Sequence, residues 1–296
     1  MRVPRAAPDH APGAASPDAL RAPSTEDIER WIYAYLEHAP LSLTLREINR
    51  LIAIEAVAGA RGPVLDVGCG DGFWWTLRGG DREVYGIDIS AREIAQARTR
   101  IHAALTDVSR ERPFPDTQFA EIIGNCSLEH VPDIDAALSN LRRAAAPGGR
   151  LLMFVPTPRW AYQGKLQSWL LARAPRVAMS LSGALNGFFQ HWHLYDAKVW
   201  TRLLAQNGWH VRAAYGLGSA RSEFLFRAFL PPAFLAFVAK KLTGFYPSKL
   251  VRFLPRAALA PAVRLVRWAV SDPLVPVDSP TAYEYLLVAD AAEPPR

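Results

Sequence analysis

Short apolar runs that stop at an acid or a glycine recur through the middle of this chain. The clearest is Val64-Leu-Asp-Val, which leads into three glycines spaced two residues apart, Gly68, Gly70 and Gly72. This pattern predicts a buried strand, a tight turn and a following helix, because glycine accepts positive φ and lets a ligand approach the main chain. The first amides of such a helix lack partners and point toward the turn. The glycine spacing differs from the G-x-G-x-x-G of dinucleotide sites.

Further apolar runs predict the other strands of an open sheet. They cover residues 84–89, 122–125, 151–155, 209–215 and 283–289. The second run contains Asp88 near its end. Ligands of open α/β sheets bind outside the carboxyl ends of the strands, and an acid there can accept hydrogen bonds from ribose hydroxyls.

In order along the chain, these motifs resemble those of the class I S-adenosylmethionine-dependent methyltransferases, in particular the type-11 group. Residues 64–72 resemble the first motif of that group, and Asp88 matches its ribose-binding acid. Asp107, in Leu-Thr-Asp-Val, matches the acid that faces the adenine amino group. Residues 113–133 resemble the fourth strand with its flanking loops, and residues 146–155 resemble the turn into the fifth strand. The resemblance covers about residues 61–157.

This chain departs from the family pattern at one position. The family usually has Phe-Asp at the start of the fourth strand, whereas this chain has Phe119-Ala120. That acid is mainly structural in its usual place, so cofactor binding is still expected.

The resemblance implies a fold and a cofactor. The fold is α/β, a Rossmann-like, doubly wound sheet of seven strands, mostly parallel with an antiparallel last strand, plus N-terminal helices and a helical insertion before the last strand. The cofactor is S-adenosylmethionine. The residues expected to bind it are Asp66, Gly68, Cys69, Gly70, Gly72, Asp88, Ile89, Asp107 and Asn125.

Two histidines are the catalytic candidates. His130 follows the fourth strand, at the edge where the methyl group would be presented, and histidine is the usual general base near neutral pH. The alternative is that His130, like Glu129 beside it, orders the loop. His193 is the second candidate, since His191 and His193 alternate as on a strand and one of them could contact the acceptor; packing or capping is the alternative. No metal site is expected, because these two histidines lack a third ligand at suitable spacing.

Composition divides the rest of the chain. Residues 1–24 are rich in Ala and Pro and are predicted to be a disordered tail. Residues 25–60 are predicted to form two lid helices, and residues 61–218 with 281–292 the cofactor-binding core. Residues 219–280 are predicted to be a helical insertion rich in Phe, Leu, Arg and Pro.

The insertion has two interpretations that the sequence leaves open. Its basic residues would share about a third of a helix circumference if the helix were continuous, although Pro255 and Pro261 interrupt it. One is a membrane-surface element, with its basic groups on anionic lipid; the other is a cap over the acceptor pocket or a dimer contact, and the two do not exclude each other. The basic residues concerned are Lys249, Arg252, Arg256, Arg264 and Arg267.

Charge and cysteine content bear on location and partners. The chain of 296 residues has a formal net charge of +6, which suits nucleic acid, anionic lipid or an acidic substrate. Its two cysteines suggest a reducing cytoplasm. No uncharged apolar run of about eighteen residues exists, and no apolar segment follows the first arginines, which argues against a membrane span and against secretion. A cytoplasmic location is expected, with the inner face of the membrane as the alternative.

The sequence therefore predicts an enzyme that methylates a small-molecule acceptor, one that is lipid-like or lipid-linked if the insertion is a hydrophobic lid. A nucleic-acid methyltransferase is the first alternative, but no Asn/Asp-Pro-Pro-Tyr/Phe motif follows the fourth strand and no RNA-binding module is recognisable. A non-catalytic binding scaffold is the second. The sequence does not indicate the oligomeric state or the acceptor atom.

Overall fold

Strand β1, Val64–Val67, lies inside a sheet of eight strands in the part of the chain that the structure describes. This computed structural model describes residues 23–57, 59, 62–78, 82–162, 165–270 and 273–292. The order of the strands across the sheet is β3-β2-β1-β4-β5-β8-β6-β7. The other strands are β2 Val84–Asp88, β3 His102–Leu105, β4 Phe119–Asn125, β5 Ala145–Pro156, β6 Trp209–Leu217, β7 Leu274–Val275 and β8 Glu284–Ala291.

Eleven α-helices occur within the described residues. They are α1 Thr25–His38, α2 Leu41–Val57, α3 Phe73–Arg78, α4 Ala91–Ala97, α5 Ile134–Ala144, α6 Lys165–Arg173, α7 Pro175–Phe189, α8 Ala197–Gln206, α9 Ala220–Ala228, α10 Leu230–Thr243 and α11 Arg256–Ala269. Two 3₁₀ helices cover Leu128–His130 and Pro247–Phe253.

The predicted fold class is confirmed, with one correction to the strand count. Strands β3, β2, β1, β4 and β5 pair in parallel, whereas β8 runs antiparallel to both β5 and β6. The expected seven strands are one too few, because β7 adds an eighth strand beside the end of β6. Its two residues are too short to produce a recognisable alternation of apolar and polar positions.

Alternate residues of β5 divide the core between the two faces of the sheet, as the period of two in a strand requires. Leu152 and Phe154 face a layer that includes α1, α2, α9 and α11. Leu151 and Met153 face the opposite layer, to which α5 and α8 contribute. The insertion therefore packs on the same face as the N-terminal helices.

The predicted N-terminal helices are present as α1 and α2. The hydroxyl of Ser24 accepts a hydrogen bond from the Asp27 amide and caps α1. Trp31 is buried, and its indole donates to the Leu77 carbonyl at 2.9 Å, which fixes α1 against the end of α3. The predicted disordered tail lies outside the described residues except for its last two.

The insertion consists of separate helices. The helical structure is interrupted at Pro255, between the 3₁₀ helix and α11. The basic residues therefore do not share one continuous helix. Pro261 lies inside α11. In the described ranges no single helix has the length and apolarity to cross a membrane; α9 and α10 pass that test only as a pair bent by 53°.

A buried carboxylate joins the N-terminal helices to the last strand. Glu284, the first residue of β8, accepts hydrogen bonds from Arg50 Nε at 2.9 Å and Arg50 Nη2 at 2.7 Å. Arg46, one turn earlier on α2, donates from its Nε at 2.5 Å. Burial alone would raise the pKa of Glu284, but the two guanidinium groups hold that pKa below its ordinary value. The carboxylate is therefore ionised in the fold and fixes α2 to the sheet.

Replacing Glu284 by Ala leaves two arginines without their shared buried partner, and we expect the free energy of unfolding to fall by about 3–5 kcal/mol. Because the pKa of Glu284 is lowered in the fold, this contribution is present above its ordinary pKa and is lost as the pH falls through the folded-state value. Urea denaturation followed by tryptophan fluorescence at pH 7.5 measures the change.

The matched control is Arg30→Ala, which removes an exposed ion pair with Asp27 at 2.8 Å and should cost no more than about 1 kcal/mol. A Glu284→Ala effect no larger than that of the control contradicts the role given to the buried carboxylate.

Candidate active site

A cavity of about 300 Å³ lies where β1, β2, β3 and β4 end. This is the position at which ligands bind in open α/β sheets, and the volume falls at the lower end of the range for small-molecule sites. The lining residues are Val67, Gly68, Ile87, Asp88, Ile89, Thr106, Asp107, Val108, Cys126, Ser127, His130, Val131 and Pro132.

The glycine turn after β1 forms one wall of this cavity. Gly68 has φ +76°, and a Cβ on it would lie 2.5 Å from the Cβ of Ser127. Only glycine therefore lets the turns after β1 and β4 come together here. Gly70 has φ +53° and open space where a Cβ would stand, so its main chain is accessible to a ligand.

The two acids predicted to bind the ribose and the adenine both line the cavity. Asp88 accepts hydrogen bonds from the amides of Gly70 at 3.0 Å and Ser90 at 2.8 Å, which fixes its carboxylate at the end of β2. Asp107 accepts from the hydroxyl of Ser109 at 2.7 Å, and this bond holds the pKa of Asp107 below its ordinary value. Hydrogen bonds therefore fix both carboxylates beside the cavity.

Five of the residues predicted to bind the cofactor do not line this cavity, among them Gly70, which lines a separate polar cleft. The Cys69 side chain packs with Ile94 and Ala97 of α4, and Gly72 allows its turn to approach Ala97 closely. Asp66 is buried under α3. Asn125 donates from its Nδ2 to the carboxylate of Glu47 at 3.0 Å. Ile89, by contrast, lines the cavity with an exposed side chain, as predicted.

Asp66 occupies an unusual environment for a carboxyl group. Its Oδ2 accepts a hydrogen bond from the Trp75 indole at 2.7 Å, whereas its Oδ1 is buried without a hydrogen-bond partner. Burial raises the pKa of Asp66 to about 7, and the indole hydrogen bond opposes that rise only in part. The acid therefore lies behind the glycine turn, in a position to influence the turn rather than to touch a ligand in the cavity.

The residues present fit S-adenosylmethionine. Two fixed carboxylates stand where ribose and adenine donors would arrive, and the exposed Ile89 offers an apolar surface beside them. The buried hydroxyl of Ser127, which lines the same cavity, has no hydrogen-bond partner in the fold. Buried polar atoms without a partner are rare, so this one is consistent with a polar ligand.

The two catalytic candidates lie in different environments. His130 lines the cavity, and its Nδ1 lies 3.2 Å from the Gln190 carbonyl oxygen. Burial lowers the pKa of His130, so its ring is neutral at pH 7 and can accept a proton. His193 does not line the cavity. Its Nε2 lies 2.8 Å from the Val131 carbonyl and its Nδ1 lies 3.1 Å from the Tyr195 hydroxyl, a placement that favours a positioning role for His193.

A second cavity, of about 20 Å³, lies close to His130. The ring of His191 stacks on that of His130, with 5.2 Å between the centroids, and His191 lines this second cavity. Most of the other walls are aromatic or positively charged. They are Arg46, Pro156, Trp160, Phe189, Phe226, Arg227, Tyr283 and Glu284.

Sequence reasoning missed the buried charges between these cavities. Arg50 donates to Glu47 at 2.6 Å and to the Cys126 sulfur at 2.9 Å, in addition to Glu284. The available signal was the pair Arg46 and Arg50, four residues apart on the same face of a largely buried helix. Their partner is 234 residues or more away in sequence, so spacing alone could not identify it.

Replacing Asp88 by Ala should weaken binding of S-adenosylhomocysteine about 100-fold, because hydrogen bonds to a charged acceptor contribute about 1.5–3 kcal/mol each. Calorimetric titration of both proteins measures the ratio. The exposed Asp116, replaced by Ala, is the control for a general effect of charge and should bind as the wild type does. An affinity of the Asp88 variant within threefold of the wild type would show that the ribose is held elsewhere.

Comparison with known proteins places this geometry in a family. Among curated proteins, the chain is similar to 27-O-demethylrifamycin SV methyltransferase of Amycolatopsis mediterranei (strain S699), with 33% identity over 139 residues that cover 42% of this chain and 49% of the relative. It is also similar to the malonyl-[acyl-carrier protein] O-methyltransferase of Erwinia pyrifoliae (strain DSM 12163 / CIP 106111 / Ep16/96), with 31% identity over 122 residues, 40% of this chain and 45% of the relative. The chain spans about half the length of these two relatives.

Among solved structures, the [4+2]-cyclase SpnF covers 84% of this chain and 82% of its own, at 20% sequence identity and a TM-score of 0.49. Phosphoethanolamine N-methyltransferase 2 of Haemonchus contortus, in complex with S-adenosyl-L-methionine, covers 83% of this chain and 52% of its own, at 17% identity and a TM-score of 0.48.

The family model match is the most extensive. Residues 35–214 of this chain match the family described as "Methyltransferase domain". The match runs from α1 through the glycine turn and the cavity to β6, and so includes every residue predicted to bind the cofactor. This chain belongs to that methyltransferase family, whose cofactor is S-adenosylmethionine.

Proposed function

We propose that this protein transfers a methyl group from S-adenosylmethionine to a small, largely apolar acceptor. One observation carries the proposal: a second, aromatic-walled cavity adjoins the strand-end cavity at the stacked rings of His130 and His191, and at about 20 Å³ it must widen to admit an acceptor. The first cavity has the glycine turn and acids suited to the cofactor. The second lies where an acceptor would meet the methyl group.

The chemistry requires a methyl group and an acceptor in line. When bound, S-adenosylmethionine supplies an electrophilic methyl: the acceptor's electron pair forms the new bond to carbon as the carbon–sulfur bond breaks and its electrons remain on sulfur. Asp88 and Asp107 would bind and orient the nucleoside. The stacked histidines and the aromatic wall would exclude water and align the acceptor, which can supply much of the rate.

The groups that could take a proton from the acceptor lie between the two cavities. His130 is neutral at pH 7 because burial lowers its pKa, so it can take a proton from an acceptor O–H or N–H. Glu129 is buried beside it, and burial raises the pKa of Glu129 to about 7. The distance from His130 Nε2 to Glu129 Oε1 is 3.7 Å.

The walls of the second cavity favour an acceptor that is mostly apolar. Trp160, Phe189 and Phe226 supply the apolar surface. The guanidinium of Arg46 lies 5.3 Å from the centre of the Phe226 ring. Relatives named for rifamycin and acyl-carrier-protein substrates support a small-molecule acceptor.

The outer surface of the insertion suits an anionic membrane, from which a lipid-like acceptor would come. Leu242 is 82% exposed, Phe253 71% and Leu235 69%, and exposed basic side chains stand among them. Apolar groups that enter the lipid interface and basic groups that meet its headgroups are the two components of peripheral membrane binding. The exposed basic residues are Lys241, Lys249, Arg252, Arg256 and Arg264.

Transfer of radiolabelled methyl from S-adenosylmethionine to a panel of isoprenoid, fatty-acyl and glycolipid acceptors tests the proposed activity. We expect label in the organic phase. Phe226→Ala should lower the rate at least tenfold and leave the affinity for S-adenosylhomocysteine unchanged, because Phe226 lines only the second cavity.

Label that appears only in added RNA or DNA, with steeply salt-dependent binding, would favour the nucleic-acid alternative. Well-folded protein that does not bind the cofactor at all would favour a binding scaffold.

Co-sedimentation with vesicles tests the membrane contact. The protein should bind vesicles of phosphatidylcholine with phosphatidylglycerol and not vesicles of phosphatidylcholine alone. The double variant Lys241→Glu, Arg252→Glu should bind at least tenfold more weakly, since each basic residue near an anionic surface contributes about 1 kcal/mol.

The matched control carries the same change of charge on α8, as Lys198→Glu, Arg202→Glu, on the opposite face of the sheet from the insertion. Equal losses of binding in the two double variants would reduce the effect to net charge and contradict a surface on the insertion.

A further inference from the structure

Three side chains that could ligate a metal converge between the two cavities. Glu129, His130 and His191 each offer a ligand atom, and these atoms lie within 4.8 Å of one another. We propose that they bind a divalent first-row transition metal of the zinc class. The sequence analysis considered His191 with His193 and found no third ligand nearby. Glu129 and His130 lie about 60 residues before His191 and meet it only in the fold.

The main chain brings the two ligand segments together. Glu129 and His130 belong to the 3₁₀ helix after β4, and His191 follows Gln190, a left-handed residue with φ 55° that ends α7. The carbonyl of Glu129 accepts hydrogen bonds from the amides of Trp192 at 3.0 Å and His193 at 3.2 Å. These bonds fix one segment against the other, so the ligands are positioned before any ion arrives.

Both histidines have an acceptor opposite one ring nitrogen. His130 Nδ1 lies 3.2 Å from the Gln190 carbonyl oxygen, and His191 Nδ1 lies 3.5 Å from the side-chain oxygen of Asn186. The tautomer that donates from Nδ1 leaves Nε2 with a free lone pair. Metal-binding histidines are usually oriented by such a contact through the other nitrogen.

The carboxylate of Glu129 provides an independent reason to expect a cation. Its side chain is 1% exposed, and its Oε2 is buried without a hydrogen-bond partner among the residues that the structure describes. A buried acceptor without a partner carries its full desolvation penalty. A metal ion within reach of this oxygen would remove that penalty.

Ion pairing limits how far the surrounding positive charges oppose the ion. Arg46 and Arg50 are the nearest fixed positive charges, but both are paired with Glu284, and Arg50 also with Glu47. Two guanidinium groups and two carboxylates balance, which leaves the cluster itself to supply the negative charge through Glu129.

The donor set selects the class of metal. Two imidazoles and one carboxylate suit Zn²⁺ and its first-row neighbours, whereas Mg²⁺ and Ca²⁺ prefer oxygen ligands. Bonds of about 2.0–2.1 Å in a tetrahedron require ligand atoms about 3.3 Å apart, so binding draws the side chains inward from their present spacing. Three protein ligands leave a fourth position open.

His130 lines the first cavity and His191 the second, so an ion held by both would lie between the two cavities. An acceptor oxygen in the second cavity could occupy the open fourth position and so be held facing the methyl group. With the ion bound, His130 would be a ligand rather than the proton acceptor, and the ion would lower the pKa of the acceptor O–H so that its proton is lost to solvent. This role of the metal rests on the proposed methyl transfer, whereas the binding of the metal does not.

Titration of the tag-free, metal-stripped full chain with Co²⁺ tests the site directly, since cobalt in a four- or five-coordinate protein site absorbs visible light and Zn²⁺ displaces it. We expect one equivalent to bind with micromolar or tighter affinity. Glu129→Gln and His191→Ala should each weaken Co²⁺ binding at least tenfold. The exposed His210, replaced by Ala, is the matched control and should bind as the wild type does.

Calorimetric titration of every variant with S-adenosylhomocysteine shows whether it is folded. Wild-type protein that binds S-adenosylhomocysteine but gives no cobalt spectrum overturns the metal site and leaves the proposed function intact. Cobalt binding that survives both Glu129→Gln and His191→Ala overturns it as well, because the ion then lies elsewhere. A cobalt spectrum in a protein that does not bind S-adenosylhomocysteine contradicts the proposed function and supports the metal site.

Discussion

A single buried carboxylate holds the two halves of the site together. Glu284 begins the antiparallel strand β8, and it binds both arginines that α2 presents to the sheet. Through Arg50 the same network reaches Glu47 on α2 and Cys126, which follows the end of β4 and lines the first cavity. Because a buried charge without its partner costs several kcal/mol, the position of α2 over the sheet is tied to this one contact.

The position of α2 in turn closes the site. Glu47 on α2 accepts a hydrogen bond from Asn125, and Arg46 on the same helix lines the second cavity. The insertion packs on this side of the sheet through α9 and α11. The N-terminal helices, the last strand and the insertion thus form one wall around the groups where the methyl group would be transferred, although they are far apart in sequence.

Local sequence predicted the elements whose signals are local. The glycine turn after β1 and the acids Asp88 and Asp107 were identified from spacing and resemblance, and Gly68 and both acids line the cavity. Cys69 and Asp66 were assigned to the cofactor because they lie inside the first motif. Their side chains pack against α4 and α3, an orientation that a motif does not resolve, and their contact with the cofactor stays a prediction.

The parts that sequence could not predict depend on long-range contacts. The charge pattern of helices α6 and α7 does not indicate a role for them. The end of α7 nevertheless places His191 against His130. Arg46 and Arg50 pair with Glu284, which lies 234 residues or more later in the sequence. Buried charges of this kind are determined by three-dimensional proximity, and hydrophobic periodicity carries no information about which acid a buried arginine will meet.

A crystal structure with S-adenosylhomocysteine bound tests the central claim most directly, that the strand-end cavity holds the cofactor and directs its sulfur toward the histidine pair. We expect the ribose hydroxyls to bind Asp88, the adenine to lie beside Ile89 and Asp107, and the sulfur to face His130 and His191. The nucleoside bound elsewhere, such as in the polar cleft between Gly70 and Tyr246, or the sulfur turned away from the histidines, would contradict it.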